Sequence, residues 1–183
     1  MRGRVIIGAG LVLLLLWGVD LRGQGIDEVS TRLIREYTTQ EDFLSPLVDY
    51  MPESGTVPSV RDFLGYVAGA PQKLTHARDI HRYFYELARC SDRIKVYETG
   101  KSNEGRARIV AVIGEAETLG RLERYQADMK RLSDPRGMDE KEARRLIARA
   151  KPAYLLTGGL HSPETGSPEV LMELAYRLIV SED

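Results

Sequence analysis

The chain has 183 residues, in which 26 Lys and Arg nearly cancel 27 Asp and Glu to leave a net charge of −1. About 100 to 200 residues is the usual size of a unit that buries its own core, so one medium domain is expected within it and not two. Balanced charge supplies no long-range field toward nucleic acid or an acidic membrane surface, and neither is expected as a partner of the folded part. Cys90 is the only cysteine, which excludes an internal disulfide and leaves stability to the packed core. Placed after Leu87 and Ala88 near a helix end, its thiol reads as partly buried and inert.

The first residues differ from the rest. Arg2 and Arg4 precede an uncharged, Leu-rich run from Val5 to Val19. Fifteen residues are short for a spanning helix, which needs roughly 20, and suit the apolar region of a secretory signal. Export to a periplasmic or extracellular location is the expectation. Gly23-Gln24-Gly25 matches an Ala-x-Ala cleavage site poorly, so an uncleaved membrane anchor over residues 5–19 is the alternative. Residues 1–25 are set apart from the fold as signal or anchor.

Residues 26–75 mix acidic patches with Pro, Gly and isolated aromatics, as in Tyr50-Met51-Pro52-Glu53-Ser54-Gly55. Such a stretch predicts turns and extended segments, with Ser30 to Tyr37 the best short helix. It reads as an N-terminal extension packing on the domain at 76–183.

From His76 onward Ile80, Tyr83, Phe84, Leu87 and Ala88 recur at helical spacing, with Thr75 placed to cap the first turn. Ile94 and Val96, then Ile109 to Ile113, form two β-branched runs separated by the turn-prone Thr99 to Gly105, and predict neighbouring strands. Leu119, Leu122, Met129 and Leu132 predict an amphipathic helix ended by Asp134-Pro135-Arg136-Gly137. Asp139 with Glu142 three residues on forms a capping-box pattern for a third helix, whose apolar edge is Ala143, Leu146 and Ile147.

Pro152 to Thr157 is an uncharged run that predicts a strand covered on both faces, closed by Gly158-Gly159. Ser167-Pro168 then makes a helix start, hydroxyl cap followed by Pro at the first helical position. Val170, Leu171, Leu174, Ala175 and Leu178 are expected on its buried face. The order of helix, two strands, two helices, strand and helix implies an α/β domain, a layered mixed sheet flanked by helices. Three strands fall short of an average sheet, so the domain is expected to be incomplete at its C-terminus.

His161-Ser162-Pro163-Glu164 follows the third predicted strand, in the kind of loop where ligands collect in open α/β sheets. An imidazole nitrogen and a carboxylate oxygen three residues apart can both reach one zinc ion at about 2 Å. By spacing alone the motif is weak, and a loop His beside a solvated Glu is the more ordinary reading. His76 and His81 are five apart, about 140° around a helix, and form no shared metal face. Gly100-Lys101-Ser102 has the ending of a phosphate-binding loop but lacks its first Gly, Lys95 standing there, and precedes a strand instead of a helix; it reads as a turn. The mixed charges from Glu115 to Arg149 read as solvated helix faces.

Leu160 to Ser167, following Tyr154-Leu155-Leu156-Thr157, resembles the first metal-binding motif of zinc carboxypeptidases, particularly their exported bacterial branch. The resemblance extends through Ser91 to Val96, Gly100 to Arg106, Asp134 to Gly137 and Glu142 to Arg144, about residues 60 to 180. It implies Zn2+ as cofactor, His161 and Glu164 as two of its three ligands, and peptides or proteins as substrates. The third ligand, the general-base Glu and the groups for the substrate's terminal carboxylate are expected beyond Asp183, which leaves no catalytic base to name here. Pro163 stands where peptide-digesting members commonly have a substrate-binding Arg.

The implied function is zinc-dependent carboxypeptidase action, hydrolysis of a peptide bond by metal-activated water. Glu164, bound to the metal, is expected to be a ligand and not the base. The 183-residue polypeptide alone is expected to lack peptidase activity. The alternative is a catalytically inactive envelope protein with a shortened carboxypeptidase-like domain, associating through an uncovered sheet edge and helix face.

Overall fold

A computed structural model describes residues 24–46 and 48–182. The reading of residues 1–25 as signal or anchor lies, for residues 1–23, outside the described residues. Gln24 and Gly25 are described: the Gln24 side chain donates to the Val180 carbonyl at 2.6 Å, and the Gly25 carbonyl accepts from the Glu53 N–H at 2.7 Å. Helix α1, Glu28–Tyr37, starts at Asp27, whose carboxylate accepts from the Ser30 N–H at 3.0 Å and so satisfies one of the free donors of the first turn. After a 3-10 turn at Glu41–Phe43, α2 (Val60–Leu64) opens with a complete capping box between Ser59 and Asp62.

Helix α3, Ala77–Cys90, buries Ile80, Tyr83, Phe84 and Leu87, the i, i+3, i+4, i+7 stripe that its sequence predicts. Its N-cap is His76, without a side-chain bond. Thr75 is not the cap: it lies one residue too early, is itself buried, and turns its hydroxyl to the Tyr66 phenol at 3.1 Å.

Strands β1 (Ile94–Lys101) and β2 (Ala107–Ile113) pair antiparallel with Ile94 opposite Ile113. Pairing continues through the expected connector as far as Lys101, because an irregularity between Glu98 and Gly100 absorbs one residue and keeps the ladder in register. The helix expected over Leu119 to Leu132 splits in two, α4 (Ala116–Gly120) and α5 (Leu122–Ser133), with Arg121 between them at φ −116, ψ 22. Gly120, a poor helix former, sits at the break.

Helix α6, Glu140–Arg149, is capped as expected by Asp139, which accepts from the Glu142 N–H at 2.7 Å. The capping box stays half-formed, since the Glu142 carboxylate turns to the Arg131 guanidinium of α5 instead. Asp128 of α5 is buried and bonded to Arg149 of α6, so the charged stretch is not uniformly solvated.

Helix α7, Gly166–Val180, packs on α3 and β2. The core joins Met51, Val57 and Val60 to Ile80, Tyr83, Phe84, Leu87, Ile94, Met172, Ala175, Tyr176, Ile179 and Val180. Two tyrosines stitch it, Tyr83 donating to the Pro58 carbonyl at 3.0 Å and Tyr176 to that of Pro52 at 2.8 Å. Residues 51–60 therefore enter the core as well as packing on it. At the far end of α7, Arg93 donates to the carbonyls of Ile179 and Ser181, as side-chain donors commonly do at a helix C-terminus.

Two further expectations need correction. Pro152 to Thr157 has no regular secondary structure and forms no strand, and Tyr154 and Leu155 are 89% and 80% exposed. A strand requires a ladder partner, and among the described residues the sheet has only β1 and β2. The buried face of α7 also differs: Glu169, Met172, Ala175, Tyr176, Ile179 and Val180 point inward, while Val170 and Leu178 face out. Apolar residues surround much of this helix, so periodicity alone did not single out the inward side. The fold class is the expected mixed α/β one, with a small two-stranded sheet.

Candidate metal site

The loop between Lys151 and α7 is shaped first by its glycines. A Cβ on Gly158 would stand 2.8 Å from Leu171 Cδ1 and 3.1 Å from the Pro168 backbone N, and Gly159 has φ +72. Neither position admits a side chain without movement or strain. The Ser167 hydroxyl is not the helix cap; Thr165 occupies that position, and Ser167 Oγ accepts from the Gly159 N–H at 3.1 Å and donates to the Glu164 carbonyl at 3.4 Å. Ser167 thereby closes the loop that carries the motif.

Within it, the Glu164 N–H donates to the His161 carbonyl at 3.1 Å, a turn that brings the two side chains together. His161 Nδ1 and Glu164 Oε1 lie 2.8 Å apart, with the side chains 64% and 59% exposed. Two donors each about 2 Å from a tetrahedral ion stand roughly 3.3 Å apart, so this pair needs only a small opening to hold zinc. One nitrogen and one carboxylate oxygen also suit the metal chemically. The fit is partial: among the described residues no group of three or more His, Cys, Asp or Glu side chains can hold a metal ion.

The other histidines stay apart from the pair. His76 is exposed at the start of α3, and His81 is half-buried, its pKa lowered by burial. Cys90 is also half-buried; burial pushes its thiol up and away from the reactive thiolate form. Gly100 and Lys101 belong to β1, and Ser102 opens the turn into β2, so no phosphate-binding loop exists there.

One residue near the loop escaped sequence reasoning. Glu169, in the first turn of α7, is buried and accepts from the backbone N–H groups of Gly69 at 2.8 Å and Thr75 at 3.1 Å. Its only signal was position: an acid at i−3 and i−7 from Met172 and Tyr176 lies on their side of a helix.

No curated protein and no solved structure matches the chain. Residues 80–183 match the family model described as zinc carboxypeptidase. That span runs from α3 through the His161–Glu164 loop to the end of α7, more than half of the sequence, and the chain belongs to the zinc carboxypeptidase family.

Proposed function

We propose that the chain contributes His161 and Glu164 as zinc ligands to a metallocarboxypeptidase that hydrolyses peptide bonds in peptide or protein substrates. The observation that carries this reading is the convergence of His161 Nδ1 and Glu164 Oε1 to 2.8 Å inside the matched span. Zinc held by the pair supplies Lewis acidity toward a carbonyl and a bound water of lowered pKa.

The residues divide the remaining work. His161 offers a ring nitrogen as a neutral donor, and Glu164 a charged one that offsets part of the dication. With its oxygen committed as a ligand, Glu164 does not take the water's proton. Pro163 places no charge between the ligands, so recognition of a substrate carboxylate belongs to other groups. Exposure of the pair leaves its outer side open to a peptide. Arg2, Arg4 and the uncharged run to Val19 support export as the setting, which cell fractionation tests.

Calorimetric titration with Zn2+ tests the ligand assignment. The protein is expected to bind the metal, and His161→Ala and Glu164→Ala each to weaken binding strongly. Affinity unchanged in both variants would falsify the assignment.

A further inference from the structure

Burial of a carboxylate is unfavourable unless hydrogen bonds replace its water, yet Glu169 is 4% exposed on a helix whose neighbouring inward residues are apolar. Both its bonds come from backbone amides, those of Gly69 and Thr75, 100 and 94 residues away in sequence. The loop supplying them is tightly wound: Gly65, Gly69 and Gln72 have φ of +82, +73 and +60. A non-glycine residue in that region persists where its surroundings over-determine it.

Apolar packing makes no directional bond and holds the azimuth of a helix's first turn less strictly than paired hydrogen bonds do. The two N–H bonds resist rotation, because hydrogen bonds weaken steeply with distance and angle. They set the azimuth of the first turn of α7. That turn includes Pro168, against which Gly158 is packed, and Ser167, which is bonded to Gly159 and Glu164. Rotation of the turn would carry the loop, and both donor atoms, with it.

We propose that Glu169 is the positioning residue of the His161–Glu164 pair, locking α7 to the 65–75 loop so that the two donors converge. This rests on the reading of His161 and Glu164 as zinc ligands. It gives the buried acid a purpose that an apolar residue of the same size could not serve.

Co2+ titration of the full chain, followed by calorimetry and by the visible absorption of the bound ion, tests it. Glu169→Gln keeps the shape but presents an NH2 to one of the amides; Glu169→Met removes both acceptors and leaves the Gly69 and Thr75 N–H groups unpaired, which lowers stability as well. Both variants are expected to bind Co2+ about tenfold or more weakly and to alter its spectrum. Tyr176→Phe, which loses the bond to Pro52 two turns further along α7 and away from the His161–Glu164 loop, is expected to lower the melting temperature with wild-type affinity and spectrum. Wild-type binding in whichever Glu169 variant folds overturns the proposal. So does weakening in proportion to lost melting temperature across all the variants, Tyr176→Phe included. Co2+ binding undiminished in His161→Ala overturns the ligand reading itself, and the proposal with it.

Discussion

The guanidinium of Arg149, the last residue of α6, grips the carboxylate of Asp128 on α5, with Nε 2.7 Å from Oδ2 and a second bond alongside. Planar two-point contact of this kind is the strongest form of ion pair, and here the acid is buried while the cation stays partly wet. Together with Arg131 and Glu142 it joins two helices that contribute little to the main core. Asp128→Ala is expected to loosen α5 and α6 selectively. Hydrogen exchange should quicken over residues 122–149 and stay slow in α3 and α7.

Acid should destabilise the protein through its aspartates. Burial pushes the Asp27 carboxyl up, but the Ser30 hydroxyl and N–H and the Arg61 guanidinium outweigh it and hold it below the ordinary 3.8. The bond from Arg149 does the same for Asp128. A carboxyl depressed in the folded state contributes stability that is fully present above its unfolded value and is lost as pH falls through the folded one. Melting temperature should therefore hold steady down to about pH 4 and drop below it. Asp27→Asn should flatten that drop; an unchanged slope would show that Asp27 does not take part.

Core and loop residues of similar type should differ sharply. Leu87 is fully buried in the main cluster, and Leu87→Ala is expected to cost about 2–5 kcal/mol in denaturant melts. Tyr154 and Leu155 project into solvent, so Tyr154→Ser and Leu155→Ser should each stay within about 0.5 kcal/mol. A large cost at either would mean that the segment is packed in solution.

Gly158→Ala places a methyl where Leu171 Cδ1 and the Pro168 backbone already stand. Leu171 can rotate away, but the backbone of a helix's first turn cannot. A loss of about 1–3 kcal/mol is expected, with weaker zinc binding because the loop carrying His161 and Glu164 must shift. The same substitution at Gly55, whose added Cβ would meet nothing, should leave zinc binding unchanged.

Local signals were legible wherever a short stretch of chain decides the outcome. The stripe of α3, the cap of α6 at Asp139 and the two strands around the Ser102 turn each follow from residues within a few positions of one another. The nearness of His161 to Glu164 is local in the same sense, since a single turn brings them together. Where the answer depended on partners far along the chain, the sequence misled or was silent. The uncharged run Pro152 to Thr157 looks like a strand, but a strand exists only with a neighbour. Thr75 looks like a cap, yet its backbone amide is taken by Glu169.

By itself the sequence determined the family, the mixed α/β class, most helix positions and the two candidate ligands, because these rest on short-range pattern and local bonding. Only the tertiary structure decided which side of α7 faces inward, that residues 51–60 share the core, and that Glu169 is buried against Gly69 and Thr75. Those outcomes depend on contacts about a hundred residues apart in sequence, which no local period encodes.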